Sequence, residues 1–160
     1  MNSDSLKKFL PLIAIISVII LFTFIRQLNA GFNVYNAMLD FMAGFFIIFS
    51  IFKIINLSAF VQAFSMYDII AQRSSSYAYA YPFIELILGI CYLMRYQLTI
   101  INWITLFLMI IGSIGVVIEL GKKREITCAC LGAVFKIPMT HVTLAEDLVM
   151  GLMALYMIFN

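Results

Sequence analysis

At 160 residues, with 64% hydrophobic and 11% charged side chains, the chain does not have the balance of a soluble domain. Its apolar runs are continuous and approach the ~20 residues that cross a bilayer core, which predicts an all-α polytopic membrane protein and excludes a β-barrel, whose strands alternate. The length leaves no room for a soluble catalytic domain beside the spans, and the net charge of +2 says less than the placement of the charges.

Five transmembrane helices are expected. The first run, 9–29, follows Lys7 and Lys8 like the front of a signal peptide, but it is longer than a typical h-region and reads as a retained span. The second covers 33–55 after the short Asn29-Ala30-Gly31 turn. In the connection 56–76, Leu57, Phe60, Val61 and Phe64 share one helical face while Gln62, Ser65 and Asp68 are polar, which predicts an amphipathic helix lying along the interface. Ser74-Ser75-Ser76 interrupts that pattern, and Tyr77, Tyr79 and Tyr81 fit an interfacial belt at the entry of the third span, 78–95. The fourth span is 98–120, with Tyr96 and Trp103 marking an interface and Gly112 and Gly115 permitting close helix packing. The fifth, 143–159, opens on Thr143-Leu144-Ala145-Glu146, a capping-box pattern, with Glu146 and Asp147 at the positive end of the helix dipole. The expected organisation is an N-terminal helix, 1–32, and a four-helix domain, 33–160.

With the N-terminus inside, Lys7, Lys8, Lys53, Arg73, Lys122, Lys123, Arg124 and Lys136 fall on the cytoplasmic side, and Arg26 and Arg95 on the other. Positive-inside bias therefore predicts N-in, C-out, with the 121–142 connection cytoplasmic.

That connection holds Cys128-Ala129-Cys130-Leu131-Gly132, where chemistry is expected. Two thiols one residue apart serve as a dithiol/disulfide pair or as a soft-metal chelate, or are simply two buried small residues in a loop turn. As a redox pair, a thiolate favoured by the neighbouring Lys122, Lys123 and Arg124 attacks a partner disulfide. A closed Cys-x-Cys bridge is strained, hence labile rather than structural. Cys91 lies about thirteen residues from the cytoplasmic entry of its span, ~20 Å along the axis, too far to join them unless residues 131–138 re-enter the membrane. As a soft-metal site for Cu(I), the candidate ligands are Cys128, Cys130, Met139, His141, Met150, Met153 and Met157, the last three on one stripe with Thr143 and Glu146. Methionines at helical spacing also serve simply as packing.

Carboxylates inside a span are costly and therefore informative. Glu85 is expected either to relay protons for thiol chemistry, to pair with Lys53, or to fix bundle geometry by an interhelical hydrogen bond. Asp40 enters from the opposite face, so no Asp40–Glu85 dyad is expected. There is no glycine-rich phosphate loop, His-Glu-x-x-His or serine triad, and the basic run is too short for nucleic acid.

Phe52-Lys53-Ile54 with Phe60, the string Tyr81-Pro82-Phe83-Ile84-Glu85-Leu86-Ile87-Leu88-Gly89, and the Cys128-Ala129-Cys130-Leu131-Gly132 loop together resemble the DoxX/MauE-like membrane proteins, from about residue 40 to the C-terminus. The resemblance implies a redox-associated four-helix bundle of the bacterial inner membrane, with the first span as an addition. Members concerned with methylamine utilisation are associated with thioredoxin-like partners that mature disulfide-rich envelope proteins. Such members commonly carry Cys-Gly-Cys-Phe-Gly; alanine and leucine stand at the matching places here, and the methionine-rich tail resembles a different subgroup. The expected function is a redox-associated accessory protein using the Cys128/Cys130 dithiol, with Glu85 and Glu146 in support as proton or charge partners near the bundle interior. The alternatives are a Cu(I)-binding or transport protein served by a metal chaperone, and a structural subunit without chemistry. The bilayer is the expected surrounding in every case.

Overall fold

The computed structural model describes residues 3–122 and 141–160, and the described residues form six helices with no strand between them. They are α1 (Ser3–Ala30), α2 (Val34–Ile55), α3 (Leu57–Phe64), α4 (Ser75–Met94), α5 (Leu98–Gly121) and α6 (His141–Phe159). Four are long and apolar enough to cross a membrane, namely α1, α2, α4 and α5. The fifth expected span falls on α6, which is not one of these four and packs along α5.

Local signals set the boundaries. Asn33 caps α2 by accepting from the Asn36 amide, and Ser74 caps α4 by accepting from the Tyr77 amide. The α4–α5 turn is made without glycine, by Arg95 (φ 53°) and Gln97 (φ 48°) in the left-handed region.

Two helix pairs organise the bundle, α2 on α4 and α5 on α6. The first is close because Gly89 faces the backbone of α2: a Cβ there would lie 2.9 Å from the Ile47 nitrogen. Nearby, Phe46 stacks on Tyr92 with ring centroids 6.0 Å apart. Tyr92 Oη is bonded to Asn102 Oδ1 at 2.8 Å and to Thr105 Oγ1 at 2.9 Å, tying α4 to α5 through buried polar groups. In the second pair Gly112 faces Asp147 and Gly151 faces Met109, an antiparallel register.

α1 is peripheral, burying 17% of its apolar window against 50% for α2. A polar clamp near its C-terminal end holds it. Asp40 of α2 lies 3.3 Å from Arg26 Nε and accepts from Gln27 Nε2 at 3.2 Å, and Arg95 reaches its other oxygen at 3.5 Å. The two arginines expected on the outer side thus converge on the carboxylate expected to enter from that side.

The 56–76 connection forms the expected helix, α3, with Phe60, Val61, Ala63 and Phe64 buried. Its aromatic face turns onto protein, Phe64 lying 4.4 Å from the Tyr81 ring and Phe60 6.2 Å. Asp68, placed with the polar face in the sequence reading, is instead buried, because its Oδ1 accepts the Ile70 and Ala71 amides at 3.0 and 2.8 Å and closes the turn below α3.

Candidate functional site

The apolar stripes of α2, α4, α5 and α6 converge on a polar centre. Lys53 comes from the last turn of α2 and Glu85 from the middle of α4, and both are buried. Lys53 Nζ donates to Glu85 Oε1 and Oε2 at 2.6 Å each. The ammonium also lies 5.6 Å from the Phe60 ring centre and 5.3 Å from that of Tyr81, so two aromatic faces take part in holding the charge. The pairing of Lys53 with Glu85 weighed in the sequence reading is therefore present.

Around this pair lies a cavity of about 40 Å³. A water needs roughly 10–15 Å³ by this measure, so there is room for a small water cluster. Tyr67 follows α3, and Thr143, Glu146 and Asp147 reach the cavity from α6. Asp147 fits because residue 112 is glycine: a Cβ there would lie 3.1 Å from Asp147 Oδ2. Gly115, one turn along α5, accommodates the Tyr67 carbonyl, which a Cβ would strike. These glycines do more than bring helices together; they make space for polar groups. Glu146 Oε1 is fully enclosed without a hydrogen-bond partner among the described residues.

Outside the spans, burial pushes the Asp68 carboxyl up from the ordinary range, against the lowering pull of the Ala71 and Ile70 amides. Burial likewise raises the Tyr67 hydroxyl, with Asp147 and Asp68 adding to the effect.

Thr143 lies within α6, whose described part begins at His141, so it does not cap that helix as its sequence pattern suggested. Its side chain is buried and lines the cavity. Met150 and Met157 are buried in the main hydrophobic core and Met153 packs against it, which is the packing role weighed for the stripe. Cys91 is half-buried against the same core. Cys128, Cys130 and Met139 lie outside the described residues. Among the described residues no three His, Cys, Asp or Glu side chains converge as a metal ion would require.

The sequence reading missed Asp147 and Thr143 as cavity groups, and it placed Tyr81 in an interfacial belt although it is buried. Spacing carries the missing signal: Tyr77 and Tyr81 are four residues apart on the inward face of α4, while Tyr79 points out and is 47% exposed.

Residues 32–160 match the model of the family described as Methylamine utilisation protein MauE, and the chain belongs to that family. The match opens just before α2, so it takes in every helix that lines the cavity and leaves α1 outside. No curated protein and no solved structure matches the chain.

Proposed function

We propose that this MauE-family membrane protein is a redox-associated accessory protein of the bacterial cytoplasmic membrane, in which Cys128 and Cys130 form an exchangeable dithiol. The observation that carries the reading is the buried Lys53–Glu85 pair in its polar cavity. Glu146 and Asp147 line that cavity within about two turns of His141, at the end of the bundle where segment 123–140 joins α5 to α6. An ion pair at this depth is costly to keep and marks a working site in membrane proteins. It supports Glu85 as a proton or charge partner for chemistry at that end.

In the proposed reaction one thiolate attacks a partner disulfide and forms a mixed disulfide. The second thiol resolves it, closing a Cys128–Cys130 bridge and releasing the partner as a dithiol, which receives the two protons and two electrons. The basic run Lys122-Lys123-Arg124 favours the attacking thiolate. The partner class is thioredoxin-like. α6 acts as the fifth span, and the distribution of Lys and Arg sets the N-terminus and the cysteine segment on the cytoplasmic side. The family's description names methylamine utilisation; Ala129, Leu131 and the methionine-rich tail favour a different client for this chain.

Trapping tests the reading. Cys128→Ser or Cys130→Ser should accumulate a mixed disulfide with a thioredoxin-like partner, and the double serine variant should form none. Equal cellular function of the double variant and the wild type would contradict it.

A further inference from the structure

The cavity wall is unbalanced in charge. Among the described residues that line it, Lys53 is the cation, while Glu85, Glu146 and Asp147 supply three carboxyl groups. Glu85 engages the ammonium with both oxygens, and the described ion pairs give neither Glu146 nor Asp147 a cation of its own. Glu146 Oε1 is enclosed and unbonded among the described residues. Ionised carboxylates held this way in a low-dielectric interior are far too costly to persist, and such groups neutralise instead. The side chains do not converge as a metal ion would require, among the described residues, whereas the space suits water.

We propose that this cavity is a proton-binding site, in which Glu146 and Asp147 hold protons as neutral carboxyls linked by enclosed water and exchange them with the α5–α6 end of the bundle. The groups that face the pair define it. They are Lys53 from α2, Tyr81 and Glu85 from α4, and Tyr67 with Asp68 behind it from the segment after α3. Thr143 comes from α6 itself, and α5 contributes the uncharged Gly112 and Met109. From α1, Ile16 meets Glu146 across an apolar cleft. A carboxyl surrounded mostly by other acids and aromatic rings keeps its proton, and the nearby ammonium keeps it exchangeable.

A route is laid out along α5. Glu119, Gly115 and Gly112 share one face at steps of four and three. Lys122, with its side chain 48% exposed, bonds Glu119 Oε1 at 2.5 Å, and Glu119 Oε2 is buried and unpartnered among the described residues. The Tyr67 carbonyl and the Asp68 backbone lie over Gly115, and the Asp147 carboxyl over Gly112. The row runs ~10 Å from Glu119 to the cavity. A side chain at either glycine would fill the space these polar groups occupy. This site needs no thiol chemistry, so it stands or falls separately from the cysteine reading.

Infrared spectroscopy of the full chain in lipid nanodiscs tests it through the carbonyl stretch of un-ionised carboxyl groups. The wild type should show that band at neutral pH, and the band should fall reversibly as pH rises. Glu146→Gln and Asp147→Asn should each remove part of it, and the double variant all of the pH-dependent part. Glu119→Gln should keep the band but slow its hydrogen–deuterium exchange several-fold; unchanged exchange would overturn the route. A wild-type spectrum without the band would overturn the site, whether or not the variants assemble. So would a pH-dependent band that survives in the double variant, or one that disappears when sodium or potassium is added.

Discussion

Replacing Lys53 by methionine and Glu85 by glutamine, singly and together, tests the polar centre through an asymmetry that the geometry predicts. In Lys53→Met, Glu85 loses the ammonium that contacts both of its oxygens at 2.6 Å. The orphaned acid must then take a proton, which at pH 7 costs about 3–4 kcal/mol from an ordinary glutamate value near 4.3. That agrees with the ~3–5 kcal/mol measured when one partner of a buried pair is removed. Methionine refills much of the lysine stem, so lost packing against Phe60 and Tyr81 adds little. In Glu85→Gln the lysine loses its carboxylate partner, but Glu146 or Asp147 in the same cavity can release a proton and take over as counter-ion. The amide also still accepts a hydrogen bond, so the expected cost is only about 1–2 kcal/mol. The double variant should resemble Glu85→Gln to within ~1 kcal/mol, giving a coupling of roughly 2 kcal/mol or more. Unfolding by a denaturing detergent in mixed micelles, followed by circular dichroism, measures all three. A Glu85→Gln variant less stable than Lys53→Met would refute the idea that the α6 carboxyls back up this pair.

Gly115→Ala should destabilise by about 1–3 kcal/mol, because the new methyl meets the Tyr67 carbonyl, whereas Gly121→Ala, with nothing within 4 Å of the new methyl among the described residues, should be neutral or slightly stabilising in the same thermal-shift assay. Asp40→Asn should loosen α1 most, since Asp40 holds Arg26 and Gln27 more closely than Arg95, which also bonds Asn36. Hydrogen exchange should accelerate over 10–28 while α4 and α5 stay protected. For Asp68, burial raises the folded-state value above the unfolded one, so its contribution is present at low pH and is lost as pH rises through the folded value. Asp68→Asn keeps an acceptor for the Ile70 and Ala71 amides, so the variant should match the wild type in acid and exceed it in thermal stability at neutral pH.

How far the fold was legible follows from what each signal measures. Apolar runs report burial in lipid or protein alike, so every helix and most boundaries could be read, and α6 coincides with the last run. Lys53 and Glu85 could be paired in advance because two opposite charges in apolar surroundings near one membrane face have few other partners. Asp68 and Thr143 misled for a shared reason. Each was interpreted from its own helix, as a polar face and as a cap, while tertiary packing decided both. Asp147 illustrates the same limit: as part of a helix start it suits the dipole, but α6 is already helical at His141, and Asp147 reaches the cavity beside Glu146, which was legible as an interior charge partner. Gly112 and Gly115 were legible as small residues, yet only the segments packed against them reveal that they shelter the Asp147 carboxyl and the Tyr67 carbonyl.

The most direct test of the redox account is an equilibrium titration of the purified chain in thiol–disulfide buffers, with the state of Cys128 and Cys130 read by alkylation and mass spectrometry. The account predicts a reversible intramolecular disulfide with one defined midpoint potential, while Cys91 stays reduced throughout. Thiols at 128 and 130 that remain alkylatable across the whole range, or that oxidise only irreversibly, would contradict it.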